Sequence, residues 1–384
     1  MNALPERSLR PLRLLQVLEP SGGGSGRHFI DLCRGLGARG HHVEAIYSPL
    51  RAEPRFIEEL QSLGLPGVHS VAMRRAPGPS DLAAWRGLAR IIRSHGPFDV
   101  VHGHSSKAGA LCRLRLPGDR AARVYTPHAF RTMDPCLGSA GRLVYGAVET
   151  ILARFFTGRV ICVSADEYEH ARRLAIPSRK LDLIVNGVAT PPRGARAAIR
   201  SDIGMGERDL LFGFVGRLCP QKAPERLLDA FSLVADRLPA ARLLMIGSGE
   251  MEAEVRERIA RSRHAGRIRL TSALSGPQAM EAIDVLVMPS RYEAMSYVML
   301  EAAAAGKPMI LTRVGGASTV LADGVNGLIV ENDDDPHPLA EAMIAVADPA
   351  RLQRYTGAAR ARSSGYGVGR MIGQTEALYR ALAS

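Results

Sequence analysis

The sequence predicts an α/β protein of two doubly wound, parallel-sheet domains, and three observations carry that prediction. At 384 residues the chain exceeds what one hydrophobic core ordinarily serves. Short apolar runs of strand length alternate with stretches of helix length from Leu12 to Val330, the pattern of repeated βαβ units. Midway, Pro191, Pro192 and Gly194 interrupt the alternation, with a set of similar size on each side. The expected boundaries are 1–190 for an N-terminal domain, 191–365 for a C-terminal domain, and 366–384 for a terminal helix.

In the first set, Leu12 to Leu18 reads as a strand, followed by Glu19-Pro20 and the glycine-rich stretch SGGGSG, Ser21 to Gly26. A helix is expected from about Arg27 to Arg39, with Phe29, Ile30, Leu32, Cys33 and Leu36 inward. Strand, glycine loop and helix make an anion-binding corner, because free amides and the helix dipole converge there. A nicotinamide dinucleotide site is disfavoured: Gly22 and Gly24 could open Gly-x-Gly-x-x-Gly, but the third position is Arg27, and Glu44 lies inside HVEAIY instead of at its end. Further strands are expected near 68–73, 99–102, 123–126, 160–163 and 182–185.

The second set begins with a strand at Leu210 to Val215 and a helix at Ala223 to Leu238, and continues with strands near 242–246, 267–271, 284–288, 308–312 and 328–330. Within it, Asp284 to Gly306 reads DVLVMPSRYEAMSYVMLEAAAAG. A buried strand closes at Pro289-Ser290, and a buried alanine-rich helix follows. Glu293 and Glu301 stand in this apolar surround, where an unpartnered carboxylate is costly, and a ligand rich in hydroxyls would supply partners. Arg217 and Lys222, in GRLCPQK after the first strand of the set, put two cations five residues apart where they could stabilise an anionic ligand. Taken alone they also read as ordinary surface cations.

The Glu-x7-Glu spacing after a strand ending in Pro-Ser resembles the donor-binding signature of family 4 retaining glycosyltransferases. So does the ordered set of SGGGSG, GHHVE, DVVHGHSSKAG, YTPH, ICVS, NGV, FVGRLCPQK and GGASTVLADGVNGLIV, which covers roughly Leu12 to Val346. The resemblance implies two Rossmann-like domains facing across a cleft (the GT-B type), with the last helix returning to the first domain. It implies transfer of a hexose from a nucleoside-diphosphate sugar to a lipid-linked or growing polysaccharide acceptor, such as a polyprenyl-diphosphate-linked glycan, with no dedicated metal or other cofactor.

The same resemblance gives Glu301 the ribose hydroxyls of the donor, which suit a carboxylate's paired oxygens. It sets Glu293 near the transferred sugar and the amides of Ala294, Met295, Ser296 and Tyr297 around sugar and phosphates, with Val298 among the donor contacts, and the backbone of Arg269 to Leu274 and Gly247 to Glu250 at the base. His128, in YTPH, faces the donor sugar by resemblance; a buried structural histidine is the alternative. Gly23 and Gly24 would let the first loop approach the diphosphate, unless they only make a tight turn. The pair His102 and His104, with Ser105, Ser106 and Lys107, are candidate acceptor or phosphate contacts, with capping and core roles as alternatives. The sequence departs from the family's usual Glu-Gly-Phe-Gly, reading Glu-Ala-Met-Ser from Glu293, which changes the loop's allowed geometry. A sugar-nucleotide epimerase or hydrolase on the same scaffold, or a non-catalytic sugar-nucleotide-binding partner, are the competing classes.

Composition narrows the rest. Five scattered cysteines without Cys-x-x-Cys spacing suggest reduced thiols and no metal site, and Asp333-Asp334-Asp335 reads as a solvated helix cap. The net charge of +12 is concentrated in residues 1–190, which hold 26 Lys plus Arg against 16 Asp plus Glu. With 5% aromatics and no nucleic-acid module, nucleic acid is the least favoured partner for that excess, and an anionic membrane or lipid diphosphate the more favoured. No apolar run is long enough to span a bilayer and the N-terminus lacks a signal-peptide core, so a cytoplasmic, membrane-peripheral enzyme is expected. Arg74-Arg75, the cluster Arg113, Arg115, Arg120 and Arg123, and the stretch Gly141 to Arg159 join basic and apolar residues. There Leu143, Val144, Ile151, Leu152, Phe155 and Phe156 would either enter a headgroup boundary or pack inward as core.

Overall fold

The computed structural model describes residues 10–115, 118–134, 137–189, 194–293 and 295–383. The chain divides into two compact units. One holds the residues through Val163, Glu167–Val185 and those from Met371 onward; the other holds Ser164–Asp166 and Asn186–Arg370. Of the linker residues expected at Pro191, Pro192 and Gly194, the two prolines lie outside the described residues.

The first unit carries seven strands: β1 (Arg13–Leu18), β2 (His42–Tyr47), β3 (Gly67–Ser70), β4 (Val100–His104), β5 (Ala122–Thr126), β6 (Arg159–Cys162) and β7 (Leu181–Leu183). They form one parallel sheet in the order β3-β2-β1-β4-β5-β6-β7. The order reverses beside β1, where doubly wound sheets open a crevice at their carboxyl ends. Central strands covered on both faces by helices need side chains that are apolar throughout, and Leu14, Leu15, Val17, Val100 and Val101 are wholly buried. Gln16 is the polar exception in β1, also wholly buried.

The second unit repeats the plan with β8 (Leu210–Val215), β9 (Ala241–Ile246), β10 (Ile268–Thr271), β11 (Val285–Met288), β12 (Met309–Thr312) and β13 (Gly327–Val330), ordered β10-β9-β8-β11-β12-β13. Its core runs from Phe212 and Phe214 through Leu227, Phe231, Leu243 and Met245 to Met343 and Tyr355.

The helix Val368–Ala383 spends most of its length on the first unit. There Glu376 receives Arg39 at 2.6 Å and lies 3.1 Å from His41 Nε2, while the Tyr379 hydroxyl accepts from Gln16 Nε2 at 3.2 Å.

Three sequence expectations need correction. The helix after β1 starts at Gly23, four residues before Arg27, so most of the glycine-rich stretch is the helix's own first turn: the Gly26 amide already bonds Gly22 O at 2.9 Å. Arg113 and Arg123 belong to no surface cluster. Both are buried, Arg113 against Glu149 at 2.8 Å and over the Tyr125 ring, Arg123 on Asp119 and the carbonyls of Cys112 and Ala121. Of the large apolar residues on the helix Ser139–Phe156, Leu152 alone is buried, while Leu143 and Phe155 are each 75% exposed. The inward face is taken by Gly146, Ala153 and Glu149, whose carboxylate must sit where Arg113 and Tyr125 can reach it.

Candidate active site

In the second unit the carboxyl ends of β8 and β11 are knitted together. The Arg291 amide donates to Gln221 O at 2.8 Å, Gln221 Nε2 to Tyr292 O at 3.0 Å, and the Arg291 guanidinium to Pro220 O at 2.8 Å. Behind the β8 loop, the turn after β9 approaches backbone to backbone. A Cβ on Gly247 would meet Gly216 O at 1.9 Å, and Gly247 sits at φ +145°, so only glycine fits. This framework fixes Lys222, whose ammonium pairs with the Glu293 carboxylate; the two side chains are 15% and 6% exposed. Arg217, on the same loop, is exposed and forms no ion pair with a described residue.

After Glu293, Ala294 lies outside the described residues. Met295 is half-buried and Ser296 is buried at φ −82°, ψ 130°, the position before the helix Tyr297–Ala304. That extended conformation suits any side chain, which is why serine is tolerated where the family pattern has glycine. The helix runs from the carboxyl end of β11, so the positive end of its dipole lies there, with Tyr297 and Val298 half-buried in its first turn.

Glu301, one turn further, packs on Gly276: a Cβ there would stand 2.5 Å from Glu301 Oε2. Gly276 opens the helix after β10, with Leu274 half-buried just before it. Glu301 and Leu274 are thus neighbours through Gly276, and Lys222 and Glu293 are directly paired. Both arrangements lie at the carboxyl edge of one sheet.

In the first unit Gly23 and Gly24 are exposed, Gly23 with φ +57°. The Gly23 amide donates to Glu53 Oε1 at 3.1 Å, so the corner expected to receive a diphosphate holds an anion from the chain itself. Among the acceptor candidates, Lys107 donates to both Asp81 oxygens, at 2.7 and 2.8 Å, and to Ala76 O, leaving its charge matched inside the fold. Ser105, at φ +66°, starts the helix Ser105–Arg113.

His104 and His128 belong to a chain of neutral groups, in which His104 is wholly buried and His128 half-buried. His128 Nε2 lies 3.2 Å from His104 Nδ1, and His104 Nε2 lies 2.9 Å from Gln16 Oε1. The Tyr379 hydroxyl bonds His102 Nδ1, and His102 Nε2 meets Thr126 Oγ1 at 2.8 Å. One proton assignment satisfies every link. Gln16 Oε1 can only accept, so His104 carries its proton on Nε2 and presents a bare Nδ1, and His128 donates to it from Nε2. The remaining ring nitrogen of His128, Nδ1, is then an acceptor. Burial, with the neighbouring imidazoles, holds His102, His104 and His128 well below the usual histidine range, so all are neutral near pH 7.

His128 and Ala129 both have positive φ, +52° and +82°. Glu167 braces this turn, accepting from the amides of Ala129 and Val163 at 2.7 Å each. Burial pushes Glu167 up to about 7.

Gln16, Tyr379, Glu167 and Glu53 were not among the residues singled out from the sequence. One signal was legible: a glutamine inside an otherwise apolar strand, which must find a partner. Among the described residues, His28, His104 and His128 have ligand atoms within 4.8 Å of one another, as do Glu44, His69 and His95, and either group could hold a metal ion. Asp335 caps the helix Pro336–Val346, and Asp334 pairs with Arg226 and Arg291. A cavity of about 330 Å³ lined by Arg196, Asp284, Lys307 and Arg360 holds none of the singled-out residues. It lies where β11 and β12 begin, opposite to the edge at which such sheets bind ligands.

Comparison with known proteins identifies the family. The model "Glycosyltransferase Family 4" matches residues 22–190 and "Glycosyl transferases group 1" matches 209–348. The chain is 28% identical over 281 residues to an Escherichia coli UDP-Gal:α-D-GlcNAc-diphosphoundecaprenol α-1,3-galactosyltransferase, covering 70% of this chain and 71% of the relative. It is 30% identical over 322 residues to a D-inositol 3-phosphate glycosyltransferase of Kribbella flavida, covering 76% and 73%. The crystal structure of HepE from Anabaena in complex with UDP superposes with a TM-score of 0.80 at 20% identity, over 96% of this chain and 100% of that one, which establishes the GT-B fold. The chain is therefore a glycosyltransferase and belongs to glycosyltransferase family 4.

Proposed function

We propose that the protein transfers a hexose, with retention of anomeric configuration, from a nucleoside-diphosphate sugar to a lipid-linked or growing polysaccharide acceptor. The Lys222–Glu293 pair, with exposed Arg217 beside it at the carboxyl edge of the second sheet, carries this reading. The second unit takes the donor. Glu301 accepts from the ribose hydroxyls, with Leu274 alongside; Met295 to Val298 border sugar and phosphates, and Lys222 and Arg217 meet the diphosphate.

In the reaction the bond from the anomeric carbon to the diphosphate oxygen breaks and one to the acceptor oxygen forms on the same face. The acceptor's proton passes to the leaving phosphate. Lys222 and Arg217 stabilise the charge that develops there, and preorganised cations act more on the transition state than on the bound donor. Glu293 holds Lys222 in place and sets a negative charge beside the electron-poor sugar. His128, fixed by His104 as an acceptor at Nδ1, receives a hydrogen bond from a sugar hydroxyl. In the first unit Gly23 and Gly24 are open to an anionic group that displaces Glu53, and Ser105 borders the acceptor, with buried His104 acting only through His128. With two cations to neutralise the diphosphate, the transfer needs no metal.

A lipid-linked acceptor draws support from the E. coli relative, whose name gives a sugar diphosphoundecaprenol as substrate. It accords with a cytoplasmic, membrane-peripheral placement. The test is thermal stabilisation by a panel of UDP-, GDP- and ADP-sugars, with Glu301→Ala and Lys222→Ala alongside. One sugar nucleotide should raise the wild-type melting temperature by mass action and stabilise both variants less. No stabilisation at millimolar concentration by any of them overturns the reading.

A further inference from the structure

The helix Ser139–Phe156 is amphipathic in the inverted sense. Its buried face carries Glu149, bonded to Arg113 and Tyr125, together with Gly146 and Ala153. Its exposed face carries Val144, Val148, Ile151 and Phe155, spaced four, three and four residues apart and so stacked in one stripe, at 60%, 45%, 51% and 75% exposure. Leu143 and Phe156 flank the stripe. A continuous exposed apolar surface of this kind is rare on a monomer and marks a docking face.

The charges around the stripe say what docks there. Arg142 and Arg154 are exposed on the helix, and Arg154 forms no ion pair with a described residue. Lys180 donates to the carbonyls of Ala153, Arg154 and Thr157 at the helix's C-terminal end. Burial and the fields of Arg179 and Arg115 lower the Lys180 pKa, which places both arginines within electrostatic reach of that end. The carboxylates of the surrounding segments are already matched: Glu149 by Arg113, Asp134 by Arg131, Asp182 by Arg159, and Glu169 by Arg172. An apolar stripe in a cationic rim complements a bilayer surface with anionic headgroups. A second copy of this chain fits worse, since a two-fold interface through the stripe would bring each Arg154 near its own equivalent. Among the described residues no helix is long and apolar enough to cross a membrane.

We propose that the helix Ser139–Phe156 docks the protein on an anionic membrane surface, lying in the headgroup boundary with Leu143, Val144, Val148, Ile151 and Phe155 inserted. This deepens the reading of the acceptor as lipid-linked, on which its biological sense rests, but the geometry that carries it involves none of the donor residues.

The full chain would be floated with phosphatidylcholine vesicles and with vesicles in which about a third of the lipid is phosphatidylglycerol. Binding to the anionic vesicles, weakened by salt and reduced at least about tenfold in Ile151→Glu/Phe155→Glu, is the expected result. Both positions are solvent-exposed, so the variant should keep the wild-type melting temperature and its stabilisation by the donor nucleotide. Equal binding of variant and wild type overturns the proposal. So does a lipid-free dimer that the same substitutions abolish, because the stripe would then be a contact between copies. Loss of donor stabilisation in the wild type would count against the transferase reading alone, whereas absent flotation with donor stabilisation intact would count against docking alone.

Discussion

The carboxyl edges of the two sheets are made of different materials. At the ends of β4 and β5, in the first unit, the polar groups are uncharged and wholly buried up to a half-buried His128, and each bonds the next in a chain from Tyr379 and Gln16 to His128. At the ends of β8 and β11, in the second unit, they are charged and partly open: Arg217 is exposed, and Lys222 pairs with Glu293. A buried neutral network defines the direction of one hydrogen bond at low electrostatic cost, whereas a diphosphate needs full charges, which must stay near water until the ligand replaces it.

If that contrast holds, removing a charge from the second edge should cost more than removing a link from the first. Lys222→Ala removes a cation from the leaving group, and kcat should fall by roughly 10²–10³, the scale of a lost transition-state donor. A loss seen only in KM would mean that Lys222 binds donor and transition state equally.

Glu167 tests the buried edge by pH. The folded chain holds its proton up to about 7, above the ordinary carboxyl value, so Glu167's contribution to stability is fully present below about pH 4.5. It is lost progressively as pH rises through about 7, the total loss amounting to about 3 kcal/mol. Denaturant unfolding of wild type and Glu167→Gln across that range should show the wild type losing stability relative to the variant. Parallel profiles would mean that the carboxylate is not neutral in the folded state.

Glu301→Ala should weaken donor binding by about 1.5–3 kcal/mol, with little change in kcat, as read from donor titration and saturation kinetics. The smallest effect is expected from Tyr379→Phe, which deletes one hydroxyl from the chain behind His128. It should cost roughly 1 kcal/mol of stability and, by loosening the imidazole tautomers, shift the pH profile of kcat without altering donor KM. An unchanged profile with the same stability loss would make the chain structural only.

These expectations divide along the line between what was legible in the sequence and what was not. The strands of both sheets could be found because doubly covered parallel strands must be apolar along their length. The second unit's candidate site was legible because its parts are local: Arg217 and Lys222 share one loop, and Glu293 and Glu301 one loop and helix. The start of the helix after β1 was misplaced because glycines read as a loop, whereas the Glu53 carboxylate and the Gly22 carbonyl organise them into its first turn.

By itself the sequence determined the class of fold, the repetition of two sheets, and the residue types and spacing of the donor edge, since these follow from short-range periodicity and local turn chemistry. Tertiary structure decided the rest. The hydrogen bond from Gln16 to Tyr379 spans 363 positions and sets the tautomers behind His128. The direction in which the helix Ser139–Phe156 faces was equally undecidable from its own residues, because it has apolar groups on both sides. Burying Glu149 where Arg113 and Tyr125 can bond it turns the larger apolar stripe outward, and only the folded chain brings those three groups together.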